Sequence, residues 1–273
     1  MFLRPLEDRL KDFGTCSDDI SVPIIDFAHF GENEDRTAEI VKETILASKE
    51  WGFFQVINHG VPKELLESMT KQSQMFHEQD AETKKMFYSR DFQSKPVYFF
   101  SNHDLYQSKA ANWRDTLYVN ARVTNGEVDP QELPTICMDV TLEYVNHIHK
   151  LADRILMSIS LEPKLTIGLD AHVDTSFITI LLQDNIGGLQ MITNDMIKGV
   201  CHRVIAKTIG RRISIAINYN GFYSSEKIHG PIKELTSEEN PPIYKKFSTE
   251  GLIKSFFSKS LDEVRANLDD FKL

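Results

Sequence analysis

The sequence predicts an α+β fold, because short apolar runs suited to strands alternate with longer stretches whose apolar residues recur at helical spacing. Residues 22–27 and 51–57 are such runs, and Pro23 places the first at a sheet edge or a strand start. Residues 37–49 and 139–160 carry apolar side chains at steps of three and four, which predicts two helices. The 273 residues suffice for one large domain or two small ones.

Turn signals and apolar stripes predict the remaining elements. Residues 58–60 (Asn-His-Gly) predict a turn, Pro62 begins the next helix, residues 116–119 predict a strand and 248–268 an amphipathic helix. The apolar residues expected to face inward are Ile40, Val41, Ile45 and Leu46 in the first helix, Leu65, Met69 and Phe76 in the second, Val145, Ile148, Ala152, Ile155 and Ile159 in the long helix, and Leu252, Ile253, Phe256 and Phe257 in the last.

Composition narrows the partners and the location. The net charge of -9 argues against a nucleic-acid surface, which needs a basic stripe, and favours a small-molecule substrate. No run approaches the roughly 18 apolar residues of a membrane span, and the charged N-terminus lacks a signal-peptide core. Cys16, Cys137 and Cys201 are odd in number and lack metal-finger spacing, so a reducing compartment fits. We therefore expect a cytoplasmic monomer without nucleic-acid or membrane partners.

Two histidines and an aspartate form the candidate metal site. His172 and Asp174 are two residues apart on an expected strand, where alternate residues point to the same face. With the distant His202 they supply two imidazoles and one carboxylate, the ligand set that leaves open positions on non-haem Fe(II). The competing interpretation is that each is a surface group or a satisfied polar contact, because a lone His-x-Asp motif is a weak signal.

A candidate carboxylate clamp follows ten residues after His202. Arg212 and Ser214 are again two residues apart, so a guanidinium and a hydroxyl share one face of a strand. The guanidinium fork matches a carboxylate, and the hydroxyl adds a third hydrogen bond. A metal and a carboxylate clamp together suggest an oxo-acid co-substrate. The alternative is that Arg212 pairs with a surface acid and contributes about 0 to 1 kcal/mol.

These motifs occur in a recognisable order. Residues 172–174 (His-Val-Asp) are followed by 178–183 (ITILLQ), 187–190 (GGLQ), 202–204 (HRV) and 212–214 (RIS), and residues 51–62 (WGFFQVINHGVP), 112–115 (NWRD) and 230–235 (GPIKEL) lie on either side. Together they resemble the plant iron- and 2-oxoglutarate-dependent dioxygenases, in particular the 1-aminocyclopropane-1-carboxylate oxidase-like branch. The resemblance covers nearly the whole chain.

The resemblance implies a fold, a cofactor and a reaction. The family fold is a double-stranded β-helix, or jelly roll, with flanking helices. By resemblance, Fe(II) binds His172, Asp174 and His202, while Arg212 and Ser214 hold the far carboxylate of 2-oxoglutarate. With O2 the enzyme hydroxylates or desaturates a small organic substrate, and the ethylene-forming members use ascorbate instead of 2-oxoglutarate.

Two family stretches carry residues with competing roles. His59 lies in a turn that is structural in the family, so it is expected to pack and to hydrogen-bond within the turn. Trp113 and Arg114 lie in a region that is near the active-site mouth in relatives. Trp113 or Arg114 could contact the substrate there. An equally simple account is that Trp113 is buried and Arg114 forms an ion pair at the surface.

The sequence departs from the family pattern by deletion. Residues 160–166 join the long helix directly to the His-x-Asp motif, where relatives have a segment whose tyrosine helps to hold the co-substrate, and only residues 175–201 separate the two histidine ligands. The start is also short. We therefore expect a truncated, incomplete jelly-roll core, with residues 1–135 forming the N-terminal region and 136–273 the shortened dioxygenase core with a C-terminal helix.

Three hypotheses remain open on this basis. The first is an active oxidoreductase dependent on Fe(II) and 2-oxoglutarate. The second is a catalytically impaired family member that keeps the motifs but has lost the cavity. The third is a metal-free interaction module whose helices form a partner surface.

Overall fold

A computed structural model describes most of the N-terminal half of the chain and several strands of the C-terminal half. The described residues are 22–91, 95–101, 114–119, 129–160, 178–184, 189–191, 202–204, 212–219, 228–229, 241–242, 244–248, 268–271 and the single residues 251, 255 and 273. Most of the expected helix at 248–268 therefore lies outside them, as do Cys16 and Cys201.

The described part contains both helices and strands, as an α+β fold requires. The helices are α1 (Glu34–Glu50), α2 (Lys63–Glu78), α3 (Ala81–Lys85) and α4 (Met138–Ser160). The strands are β1 (Ile24–Asp26), β2 (Gln55–Ile57), β3 (Val97–Phe100), β4 (Thr116–Val119), β5 (Ile178–Gln183), β6 (Leu189–Met191), β7 (His202–Val204), β8 (Ser214–Tyr219), β9 (Ile228–His229) and β10 (Phe247–Ser248). β1 and β2 pair in parallel, while β3 with β4, β5 with β8, β6 with β7 and β9 with β10 pair antiparallel.

Helix α1 confirms the predicted helix at 37–49 and extends it at both ends. Asn33 caps its N-terminus by accepting a hydrogen bond from the Arg36 amide at 2.8 Å, which satisfies one of the unpaired amides of the first turn. Ile40 and Val41 are buried as expected, but Leu46 is 50% exposed, so its assignment to the inward face was wrong. Thr44 takes the buried position instead and has no exposed surface.

Replacing the buried Thr44 with valine should stabilise the protein. Its hydroxyl is buried without a hydrogen-bond partner among the described residues, and burying an unpaired polar group costs free energy. Thr44→Val should raise the free energy of unfolding by about 1 kcal/mol, measured by urea denaturation. The control is Thr70→Val on α2, where the hydroxyl donates to the Leu66 carbonyl at 2.9 Å. An equal gain in both variants would show that the unpaired hydroxyl is not the cause.

The segment around β2 is less regular than the sequence suggested. Residues 51–57 were expected to form one buried strand, but only Gln55–Ile57 is a strand, and Ile57 is 47% exposed. The predicted turn that follows is confirmed, with Asn58 and Gly60 at φ angles of 50° and 82°. Asp26 at the end of β1 accepts a hydrogen bond from the Asn58 side chain at 2.8 Å and holds the turn against the sheet.

His59 has the structural role expected of it. Its Nδ1 accepts a hydrogen bond from the Val61 amide at 3.1 Å, so the ring is neutral in this arrangement. Burial lowers the pKa of His59, and the nearby charge of Arg154 lowers it further. Helix α2 begins at Lys63, one residue later than predicted, so Pro62 is its N-cap and not its first residue. Leu65, Met69 and Phe76 are buried as predicted.

Helix α4 contacts both helices and strands of the described structure. Ile148, Ala152 and Ile155 are buried as predicted, whereas Val145 is half-buried and Tyr144 lies in the core instead. Burial raises the pKa of Tyr144. α4 packs against α1 and α2 and also contacts β5 and β8. Because this core draws on both sides of residue 135, the division into 1–135 and 136–273 stays a prediction.

Candidate carboxylate-binding site

The β5–β8 pair has one face on the helical core and one face open. Alternating residues Ile180 and Leu182 of β5, and Ile215 and Ile217 of β8, pack against the buried core. On the opposite face the register places Gln183 beside Ser214 and Leu181 beside Ala216. Leu181 is 40% exposed, so one apolar side chain lies on this face beside the polar groups at the strand end.

Arg212 lies at that end of the sheet, two residues before Ser214. Its Nη1 donates to the Ser214 hydroxyl at 2.9 Å, and its Nη2 donates to Gln183 Oε1 at 2.9 Å. The structure therefore brings together both predicted clamp residues and adds a third polar side chain. Hydrogen bonds between Asp184 and Ile213 fix the backbone beside Arg212, because the Asp184 amide donates to the Ile213 carbonyl at 3.1 Å.

The guanidinium still has hydrogen-bonding capacity to offer. Its Nε–H is buried and has no hydrogen-bond partner among the described residues. A buried donor without a partner is costly, and an added carboxylate would satisfy it. The side of a guanidinium that combines Nε–H with an Nη–H binds a carboxylate through two parallel hydrogen bonds.

The predicted iron ligands lie mainly outside the described part of the chain. His172 and Asp174 are not among the described residues, and His202 is described through its backbone in β7, where it pairs with Met191 of β6. No cluster of three or more His, Cys, Asp or Glu side chains that could hold a metal occurs among the described residues. Their convergence on one ion therefore stays a prediction.

Comparison with known proteins identifies the family. Residues 22–137 match the model of the N-terminal domain described as non-haem dioxygenase in morphine synthesis. Deacetoxyvindoline 4-hydroxylase of Catharanthus roseus is 34% identical, with 93% of this chain and 78% of that protein covered. The 1-aminocyclopropane-1-carboxylate oxidase homolog 1 of Arabidopsis thaliana is 38% identical, with 90% and 82% covered. The chain belongs to the plant non-haem iron, 2-oxoglutarate-dependent dioxygenases.

Structural comparison agrees with membership of this dioxygenase family. The chain is similar to the crystal structure of JOX2 in complex with 2OG, Fe and JA, with a TM-score of 0.71 and 22% sequence identity. The match covers 92% of this chain and 89% of the JOX2 chain. At that identity the likeness concerns the fold, which is that of the jelly-roll 2-oxoglutarate oxygenases. The family is enzymatic and depends on Fe(II) and 2-oxoglutarate, as the sequence motifs implied.

One residue that contacts the predicted clamp was not among the residues singled out from the sequence. Gln183 was noted only as part of a motif, although it lies directly opposite Ser214 and accepts a hydrogen bond from Arg212. Alternation along β5 places Gln183 and Leu181 on the same face, and this alternation was the available sequence signal for the position of Gln183.

Among the described helices, none is long and apolar enough to cross a membrane.

Proposed function

We propose that this dioxygenase hydroxylates or desaturates a small organic metabolite, using Fe(II), O2 and 2-oxoglutarate, with ascorbate as a further candidate reductant. Membership of the family supports the reaction class, and the relative named as a 4-hydroxylase supports hydroxylation as the first activity to test. The comparisons do not favour the impaired-enzyme and interaction-module alternatives.

One observation carries the proposal. Arg212 is held by Ser214 and Gln183 at the end of the open β5–β8 face while its buried Nε–H has no partner among the described residues. A guanidinium so held is ready to bind a carboxylate without first being ordered, which lowers the entropic cost of binding. Arg212 and Ser214 would then bind the far carboxylate of 2-oxoglutarate.

The metal would be held by His172, Asp174 and His202. Two imidazoles and one carboxylate suit non-haem Fe(II) and leave positions for the co-substrate and O2. When bound, Fe(II) supplies the activation of O2 that protein side chains cannot provide. The work left to the chain is to orient the 2-oxo acid through Arg212 and Ser214.

The core that surrounds this site is proposed to be shortened. The alignment with deacetoxyvindoline 4-hydroxylase spans 316 positions, more than the 273 residues of this chain, so the relative has internal segments without counterparts here. This supports a shortened chain, and we place the missing segments between the long helix and His202, where the family motifs lie close together in this sequence. Lost strands leave unpaired edges and reduce the burial of their former neighbours. A monomeric, cytoplasmic protein without nucleic-acid or membrane partners remains part of the proposal.

Anaerobic titration with Fe(II), with and without 2-oxoglutarate, tests the function directly. We expect uptake of about one Fe(II) per chain, with an absorption band that requires 2-oxoglutarate, because three protein ligands leave room for a chelating co-substrate. Asp174→Ala should take up no iron at the same concentrations. Wild-type protein that is folded but takes up no iron would favour the impaired member, and a partner that binds wild type and Asp174→Ala equally well would favour the interaction module.

A further inference from the structure

We propose that Gln183 is a positioning residue that sets the place and direction of the Arg212 guanidinium, and through it the chain length of the 2-oxo acid that the enzyme accepts. The inference rests on the proposed function, because it concerns the same carboxylate clamp. It assigns a role to a side chain that touches the guanidinium and not the reacting atoms.

The hydrogen bond between the two side chains defines which amide atom is involved. Arginine offers only donors, so the Gln183 atom 2.9 Å from Arg212 Nη2 must be the amide oxygen. Ser214 Oγ accepts from Nη1 at the same distance. Two acceptors on two different nitrogens fix a planar guanidinium in both position and rotation, whereas a single acceptor would leave it free to swing.

Gln183 holds Arg212 from β5, a different strand from the one that Arg212 leads into. Gln183 ends β5, and Ser214 begins β8 directly opposite it. Arg212, two residues before β8, is therefore held by one acceptor at the start of β8 and one at the end of β5. The second acceptor is a neutral amide, so Gln183 orients the guanidinium without adding a negative charge of its own. A carboxylate at position 183 would add one.

Two variants of Gln183 separate positioning from mere packing. Gln183→Met keeps the length of the side chain but loses the acceptor, while Gln183→Glu keeps the acceptor and adds a negative charge. Both are made in the full chain with Fe(II) present under anaerobic conditions. The affinities for 2-oxoglutarate and for the one-carbon-longer 2-oxoadipate are measured by calorimetry, together with the thermal unfolding midpoint without ligand.

The expected results differ between the two variants. Gln183→Met should bind 2-oxoglutarate about 10-fold more weakly, the loss expected when one charge-assisted hydrogen bond no longer holds the clamp. Its preference for 2-oxoglutarate over 2-oxoadipate should also fall, because the guanidinium is no longer kept at one distance. Gln183→Glu should bind 2-oxoglutarate more weakly still, although its unfolding midpoint stays at or above that of wild type.

Asn218→Ala provides the matched control on the same sheet face. Asn218 accepts a hydrogen bond from Thr179 at 3.1 Å, four residues along β5 from Gln183, so its loss removes a comparable polar pair away from the clamp. Its 2-oxoglutarate affinity should match that of wild type. Wild-type affinity in either Gln183 variant, or an equal loss in Asn218→Ala, overturns the positioning role alone. Failure of wild type to bind 2-oxoglutarate overturns the proposed function and this inference with it.

Discussion

Replacing Arg212 with lysine should weaken 2-oxoglutarate binding by about 1.5 to 3 kcal/mol while leaving Fe(II) affinity unchanged, because at least one charge-assisted hydrogen bond is lost. An ammonium is a point charge and cannot reproduce the fork that now reaches Ser214 and Gln183 and still offers the buried Nε–H. The measurement is anaerobic titration of 2-oxoglutarate at saturating Fe(II).

A change of ligand makes the Arg212 test specific to the far carboxylate. A 2-oxo acid without a second carboxylate, such as 2-oxobutyrate, should bind wild type and Arg212→Lys equally well, because it never reaches the guanidinium. Arg36→Lys is the protein control, since Arg36 pairs with the surface residue Glu39. Equal 2-oxoglutarate affinity in Arg212→Lys and wild type would remove Arg212 from the site and leave its contacts as an ordinary surface cluster.

Three predicted helices are confirmed because their apolar periodicity is local, whereas most of the helix predicted at 248–268 lies outside the described residues. α1, α2 and α4 form where the stripes indicated, and most of the expected inward residues are buried. The error at Leu46 has a geometric reason, since six residues after Ile40 the helix has turned by about 240° and faces away. The buried Thr44 could not be foreseen, because polarity alone would place a threonine outside.

Strands and the site depended on contacts that a sequence does not contain. The aromatic run before β2 suggested a buried strand, yet among the described strands β2 pairs with β1 alone, and Ile57 is half exposed. Arg212 and Ser214 could be proposed together because they are two residues apart in the sequence, although β8 begins only at Ser214. Gln183 reaches them only through the pairing of β5 with β8, and the register of that pairing is a nonlocal property.

Replacing Arg154 with leucine should lower the free energy of unfolding by about 2 to 3 kcal/mol, since two hydrogen bonds from a charged group and its aromatic contacts are lost. Arg154 projects from α4, and its Nη2 donates to the Phe27 carbonyl at 3.1 Å while its Nη1 donates to the His59 carbonyl at 3.3 Å. The guanidinium lies 5.6 Å and 5.4 Å from the ring centroids of Phe27 and Phe30. Urea denaturation measures the change.

The position of Arg154 explains why this loss should exceed that of an ordinary surface charge. It joins the end of β1 and the His59 turn to α4, the helix that supports β5 and β8. Lys150→Leu, an exposed position on the same helix, removes the same charge and should change stability by no more than about 0.5 kcal/mol. Arg154→Lys should fall between wild type and Arg154→Leu, because one ammonium cannot bridge both carbonyls as a planar fork does. Equal stability of Arg154→Leu and Lys150→Leu would mean that these contacts contribute no more than a solvated charge.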